Sequence, residues 1–369
     1  MNRWSLLLGA GAAAAAGEYG IASYFFRRTM LRQKATTKRT MDMAGTNWDL
    51  YMPKLKKMKE WMLKQEREDV YITSGDGLKL HGTYFPGQGG KKLVLCFHGY
   101  TSKGMSDYIG LSNYYLPRGY QMLLVDERAH GDSEGTYIGF GCLDREDAFL
   151  WIKYVEKRFG SDCEIWLHGT SMGASTVLMT SGLKLPLQVK GIVSDCAFTS
   201  AWDVFEHVLK DQYHLPAYPI LKISDSMCRK KAGYGLRQLS ASEEVKKAKV
   251  PILFIHGDAD TFVPCRMCYE IYENCASKKN MLIIHGAGHV EAFYKEQELY
   301  EQKLTEFLET AGEADESVIE DGSNGEADES VIEDGSTGDA DESVIGDGST
   351  GEAEESVTGE GSTGDAVPV

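Results

Sequence analysis

The last 58 residues of this 369-residue chain contain no lysine, arginine, aromatic residue, leucine or methionine, yet they hold 19 acidic residues. A segment with nothing to pair its carboxylates and almost nothing to bury cannot offset the entropy of ordering itself. The formal charge of -16 belongs to that segment, because the preceding 311 residues carry 39 basic and 36 acidic groups. Read as a whole, the acidic charge argues against nucleic acid as a partner, since a domain that binds phosphate should be basic. Cysteine is scattered rather than patterned. Cys265-Arg-Met-Cys268 has CxxC spacing but no second pair to complete a zinc site, and it opens a helix after Pro264. No metal or cofactor is expected.

What the tail does contain is a 13-residue repeat: GEADESVIEDGSN from Gly312, GEADESVIEDGST from Gly325, GDADESVIGDGST from Gly338 and GEAEESVTGEGST from Gly351. Its sizeable apolar group is one Val-Ile pair, Val318 and Ile319 in the first copy, which weakens to Val357 and Thr358 in the fourth. Stacked solenoid repeats generally need about 20 residues or more. Calcium is the functional rival, through Asp321, Asp328 and Glu329, but their spacing fits neither the loop with alternating ligands nor the GGxGxD repeat. Disorder is the expectation for residues 312–369.

At the other end, residues 4–26 form an apolar run interrupted by Glu18. About 20 such residues can cross a hydrocarbon core. Arg3 is the one side-chain cation before the run, while Arg27, Arg28, Arg32, Lys34, Lys38 and Arg39 follow it. That asymmetry predicts an uncleaved transmembrane helix over residues 1–28 with the catalytic body in the cytoplasm. A cleaved export signal is the alternative, since the Ala-rich core over residues 6–16 resembles an h-region.

Between these ends, continuous apolar strands alternate with helices, the pattern of a mostly parallel sheet covered on both faces. Residues 70–73 and 78–85 read as a hairpin around Gly75-Asp76-Gly77. Strands are expected over residues 92–97, 121–125, 164–168, 189–194, 250–256 and 281–285, and helices over 144–159, 171–183, 264–275 and 290–308. Residues 198–249 break the rhythm and read as a helical cap. The expected organisation is therefore an N-terminal segment (1–28), a basic linker with an amphipathic helix (29–69), one α/β domain (70–311) with its cap, and the acidic repeats.

Chemistry concentrates at strand ends. Gly169-Thr170-Ser171-Met172-Gly173 matches G-x-S-x-G directly after a strand and before a helix, the context that makes Ser171 a nucleophile. Its base should follow an acid in chain order. His289, after Gly286-Ala287-Gly288, is favoured, with His285 in reserve. Asp260 is favoured as the acid over Asp258, and Asp195 is a further candidate. The oxyanion donors expected are the backbone amides of Met172 and Tyr100.

The set HGYTS (98–102), DERAHGDSEG (126–135), GTSMG (169–173), HGDADTFVP (256–264) and GAGH (286–289) resembles the α/β-hydrolase superfamily. It is most similar to bacterial serine hydrolases of the S33 aminopeptidase-like and lysophospholipase-like branch. That resemblance spans residues 70–308 and implies an α/β-hydrolase fold with eight strands. It also implies Ser171, Asp260 and His289 as nucleophile, acid and base, with Tyr100 and Met172 as oxyanion donors. Ala129 departs from it, standing where the family's loop carries glycine, as does Asp132, where a small or basic residue is common. The activity implied is cleavage of carboxylic esters through an acyl-enzyme. Short peptides, lysophospholipids and thioesters are the alternative substrates. A purely binding role would leave three strand-end residues of this kind without purpose.

Overall fold

The computed structural model describes residues 3–33 and 46–312. The chain divides into two units, Met1–Asp315 and Glu316–Val369. The acidic repeats, with the disorder and calcium readings made for them, lie outside the described residues.

Eight strands form one sheet: β1 (Glu68–Thr73), β2 (Lys79–Phe85), β3 (Lys92–Phe97), β4 (Gln121–Val125), β5 (Glu164–Thr170), β6 (Val189–Asp195), β7 (Ile252–Gly257) and β8 (Lys279–Ile284). Their order across the sheet is β1-β2-β4-β3-β5-β6-β7-β8. The first two make an antiparallel hairpin, β2 runs antiparallel to β4, and every later pairing is parallel. The parallel strands are apolar on both sides because helices cover both faces. Leu93, Leu95, Leu167 and Ile192 fill one layer, and Val94, Cys96, Leu124 and Val193 the other. This is the α/β-hydrolase architecture expected from the sequence.

The helices that matter for the site are α1 (Arg3–Met30), α2 (Met52–Met62), α3 (Ile109–Tyr115), α4 (Asp144–Phe159), α5 (Met172–Thr180), α6 (Ala201–Asp211), α7 (Ile220–Lys231), α8 (Arg266–Asn274) and α9 (Gln297–Gly312). Helices α6 and α7 lie in the 198–249 interval and form the cap. Their apolar faces, including Val204, Leu209, Ile220 and Leu221, are buried. Ser200 starts α6 by accepting a bond from the Asp203 amide.

The N-terminal expectation is corrected. No helix among the described residues is long and apolar enough to cross a membrane. Helix α1 has 28 residues, but glycine, Glu18, Tyr19, Arg27 and Arg28 dilute its apolar content. One apolar face of its C-terminal part is engaged by the protein. Ala22, Phe26 and Met30 are buried in the body, and Phe25 meets Tyr213 edge-to-face at 4.9 Å. The Ala22 carbonyl accepts from Ser224 at 3.3 Å. Beyond the helix, Leu31 bridges to Tyr137 and Arg32 donates to the Gly131 carbonyl at 2.5 Å. The transmembrane helix over residues 1–28, membrane attachment as a partner, and the membrane placement of the catalytic body all fall with that finding.

Candidate active site

Parallel strands deliver their following loops to one edge of the sheet, and the motifs identified in the sequence meet there. Ser171 follows β5 with φ +54°, a conformation rarely open to a serine. It is held from both sides: its amide donates to the Asp195 carbonyl at 2.8 Å, and its carbonyl accepts from the Ser175 amide at 3.1 Å. The flanking glycines are steric requirements. A Cβ on Gly169 would stand 2.3 Å from the Gly173 carbonyl oxygen, and one on Gly173 would stand 2.0 Å from that of Phe97.

Ser171 Oγ lies 2.8 Å from His289 Nε2, and His289 Nδ1 lies 2.7 Å from Asp260 Oδ2. All three residues are buried. Burial opposes the charge on Asp260, but His289 and His256 beside it outweigh that cost and hold the carboxyl well below the usual range. An ionised carboxylate can only accept, so the proton of His289 sits on Nδ1. Nε2 is then free to accept from the serine hydroxyl. Asp260 Oδ1 accepts from the Phe262 and Val263 amides at 2.9 and 2.8 Å, which fixes the loop after β7. The His289 carbonyl accepts from Thr46 at 3.1 Å.

The reserve candidates lie elsewhere. His285 Nδ1 and Asp258 Oδ2 pair with one another at 2.8 Å, on an exposed stretch where His285 is 99% accessible. Asp195 Oδ2 accepts from the Tyr300 hydroxyl at 3.0 Å. Burial raises its carboxyl to about 6, against the opposing Tyr300 bond. His168, below the serine, bonds Tyr115 and Tyr300, and burial lowers its pKa to about 3.

Of the expected oxyanion donors, Met172 is the first residue of α5, so its amide has no acceptor within the helix. Tyr100 lies on the loop after β3, and its hydroxyl donates to the Arg28 carbonyl of α1 at 3.2 Å. That loop is tightly built. Asp107 accepts from the Gly99 amide at 2.6 Å, and His98 Nε2 accepts from the Glu127 amide at 3.0 Å, leaving His98 in a structural position. In the neighbouring loop, Ala129 departs from the family's glycine although its φ is +61°. Glycine would adopt that conformation without strain.

Ser171 and His289 open into a cavity of about 720 Å³. The cap contributes Val204, Phe205, Leu209 and Tyr213, and further walls come from α1 and from the segment around Trp48 and Met52. Sequence reasoning missed two parts of this site. His256, at the end of β7, lies 3.3 Å from Asp260 Oδ2, and α1 reaches the cavity at all. The spacing of Ala22, Phe25, Phe26 and Met30 as one helical face was visible, but it suits a lipid-facing helix equally well.

Comparison with known proteins bears on the fold and its relatives. The family model for the prolyl oligopeptidase family, peptidase S9, matches residues 141–313. YqkD, an uncharacterized protein of Bacillus subtilis, is 25% identical over 253 residues, covering 69% of this chain and 83% of its own. YfhR of Escherichia coli, also uncharacterized, is 23% identical, covering 66% and 81%. Among solved structures, the Pyrococcus furiosus esterase Pf2001 superposes with a TM-score of 0.56 at 25% identity, over 67% of this chain and 92% of its own. DcsB, solved with a substrate analogue, gives 0.52 at 17% identity over 67% and 100%, a likeness of fold. The chain is a hydrolytic enzyme of the α/β-hydrolase superfamily, related to the esterases and the S9-type hydrolases.

Proposed function

We propose that the protein is a serine esterase that cleaves carboxylic esters through an acyl-enzyme. The observation that carries this reading is the unbroken chain from Ser171 through His289 to Asp260, at 2.8 and 2.7 Å, opening on a mostly apolar cavity. His289 takes the serine proton as Oγ attacks the ester carbonyl, and Asp260 stabilises the imidazolium that forms. The amides of Met172 and Tyr100 receive the developing oxyanion. Collapse expels the alcohol with the proton from His289. Water, activated by the same imidazole, then releases the acid. Removal of Ser171 tests this directly. Ser171→Ala should lose all labelling by a fluorophosphonate probe while keeping the wild-type unfolding temperature, and retained labelling would overturn the assignment.

The match to the prolyl oligopeptidase family favours a second reading, hydrolysis of short peptides. A panel of p-nitrophenyl esters beside aminoacyl p-nitroanilides separates the two. A preference for the anilides, abolished by blocking the peptide amino terminus, would replace the esterase reading. Placement in the S33 aminopeptidase-like or lysophospholipase-like branch rests on the motif set alone and makes the same division of substrates the deciding measurement.

A further inference from the structure

Helix α1 serves the cavity as well as the fold. Its residues Phe25, Phe26 and Met30 line the same space as Ser171 and His289. The helix is fixed rather than leaning on the surface. The Met30 carbonyl accepts from the Ile138 amide at 2.8 Å, Tyr100 on the oxyanion loop donates to the Arg28 carbonyl, and Phe25 packs on Tyr213 of the cap. One face of α1 therefore completes a chamber whose other walls are the cap and the sheet edge. The opposite face is in solvent, where Tyr19 is 56% exposed.

Size and chemistry together select the occupant. A methylene takes up roughly the ~30 Å³ share of a water molecule in the liquid, so a chain of about twelve carbons would use about half of the 720 Å³. A peptide of that bulk would set several N–H and C=O groups against phenylalanine, valine and leucine side chains, which cannot answer them. A linear hydrocarbon has no such groups. Resting on the serine-esterase reading above, we infer that the cavity is an acyl-chain site walled on one side by helix α1, and that the preferred substrates are esters of linear acyl chains of about eight carbons or more.

The experiment measures kcat/KM for p-nitrophenyl esters from acetate to dodecanoate, using the full chain. Burial of each methylene should raise kcat/KM by up to about fourfold until the cavity is filled. Phe25→Trp and Met30→Trp, two independent fillings of the α1 wall, should each cut the dodecanoate-to-acetate ratio by at least about tenfold. Tyr19→Ala, on the solvent face, should leave that ratio at the wild-type value. A wild-type kcat/KM that falls steadily from acetate to dodecanoate overturns the inference even if both variants misfold. A ratio preserved in both folded tryptophan variants overturns the role of α1. Ester hydrolysis that survives in Ser171→Ala marks failure of the underlying serine reading instead, whatever the chain-length profile.

Discussion

His256 Nε2 lies 3.3 Å from Asp260 Oδ2, the same oxygen that faces His289. His256 is fully buried at the end of β7, and its Nε2 also lies 2.8 Å from the Val263 carbonyl. It thus ties the base of the loop to its far side while facing the carboxylate. The residue is fully buried and does not line the cavity, so its part is to position Asp260.

Replacing His256 by glutamine removes one of the interactions that hold the Asp260 carboxyl low. That carboxyl should then protonate at higher pH, so the stability its charge supplies should be lost at a higher pH than in wild type. A stability loss of about 1–3 kcal/mol should accompany it. A purely structural residue would lower stability equally at every pH, and that outcome, read by urea unfolding through the acid range, would sink the positioning role.

The two carboxylates of the Asp258-Ala259-Asp260 stretch are separated by function as well as by burial. Asp260→Asn should lower kcat by about 10³–10⁴, as loss of a correctly oriented imidazole tautomer does in serine proteases. Asp258→Asn and His285→Ala remove an exposed pair whose attraction water screens. Their kcat should match wild type within a factor of two or so. Equal losses at both aspartates would mean that the loop's shape, rather than the carboxylate facing His289, carries the effect.

Strand ends were the legible part of this protein. Buried parallel strands are continuous apolar runs, so residues 92–97 and 121–125 coincide with β3 and β4, and the G-x-S-x-G turn follows β5. Contacts between distant segments were not legible. Nothing local in Ala22, Phe25, Phe26 and Met30 distinguishes a face meant for lipid from one meant for the cap, because both are satisfied by apolar spacing. The difference is tertiary, set by Tyr213, Ser224 and Tyr137 more than a hundred residues on. The expected helix over 290–308 is interrupted for a related reason. Glu291 bonds Tyr51 and the Gly288 amide, which braces the His289 loop, and Glu296 leaves the helical conformation before α9 begins.

The turn that carries Ser171 should tolerate no side chain at Gly173. An alanine there would place Cβ 2.0 Å from the Phe97 carbonyl oxygen and 2.8 Å from that of His98. Backbone of a central strand cannot yield as a flexible side chain would. Gly173→Ala should therefore cost more than about 3 kcal/mol of unfolding free energy and abolish fluorophosphonate labelling. Gly160→Ala tests the opposite situation. Nothing lies within 4 Å of its added Cβ, but φ is +82°. That change should cost only about 1–2 kcal/mol of left-handed strain and leave labelling intact.

Asp195 and Asp260 predict opposite pH dependences of stability. Burial raises the Asp195 carboxyl from 3.8 to about 6 despite the Tyr300 bond, and Oδ1 has no hydrogen-bond partner among the described residues. Its contribution is fully present below the unfolded value and is lost as pH rises through about 6. Ionisation in place costs on the order of 3 kcal/mol above that point. Asp195→Asn avoids the cost while keeping an acceptor for Tyr300, so its unfolding free energy should exceed that of wild type by an amount that grows from pH 4 to pH 6 and then levels. Asp260 has the reverse sign. Burial opposes its charge, but His289 and His256 depress its pKa below 3.8, so it stabilises the fold above that value and loses the contribution as pH falls below it. Asp260→Asn should be less stable than wild type at pH 8, with the gap closing under acid. Urea unfolding of both variants between pH 3 and 8 measures the two curves. Curves of the same sign would show that the surroundings of one of these carboxylates have been misjudged.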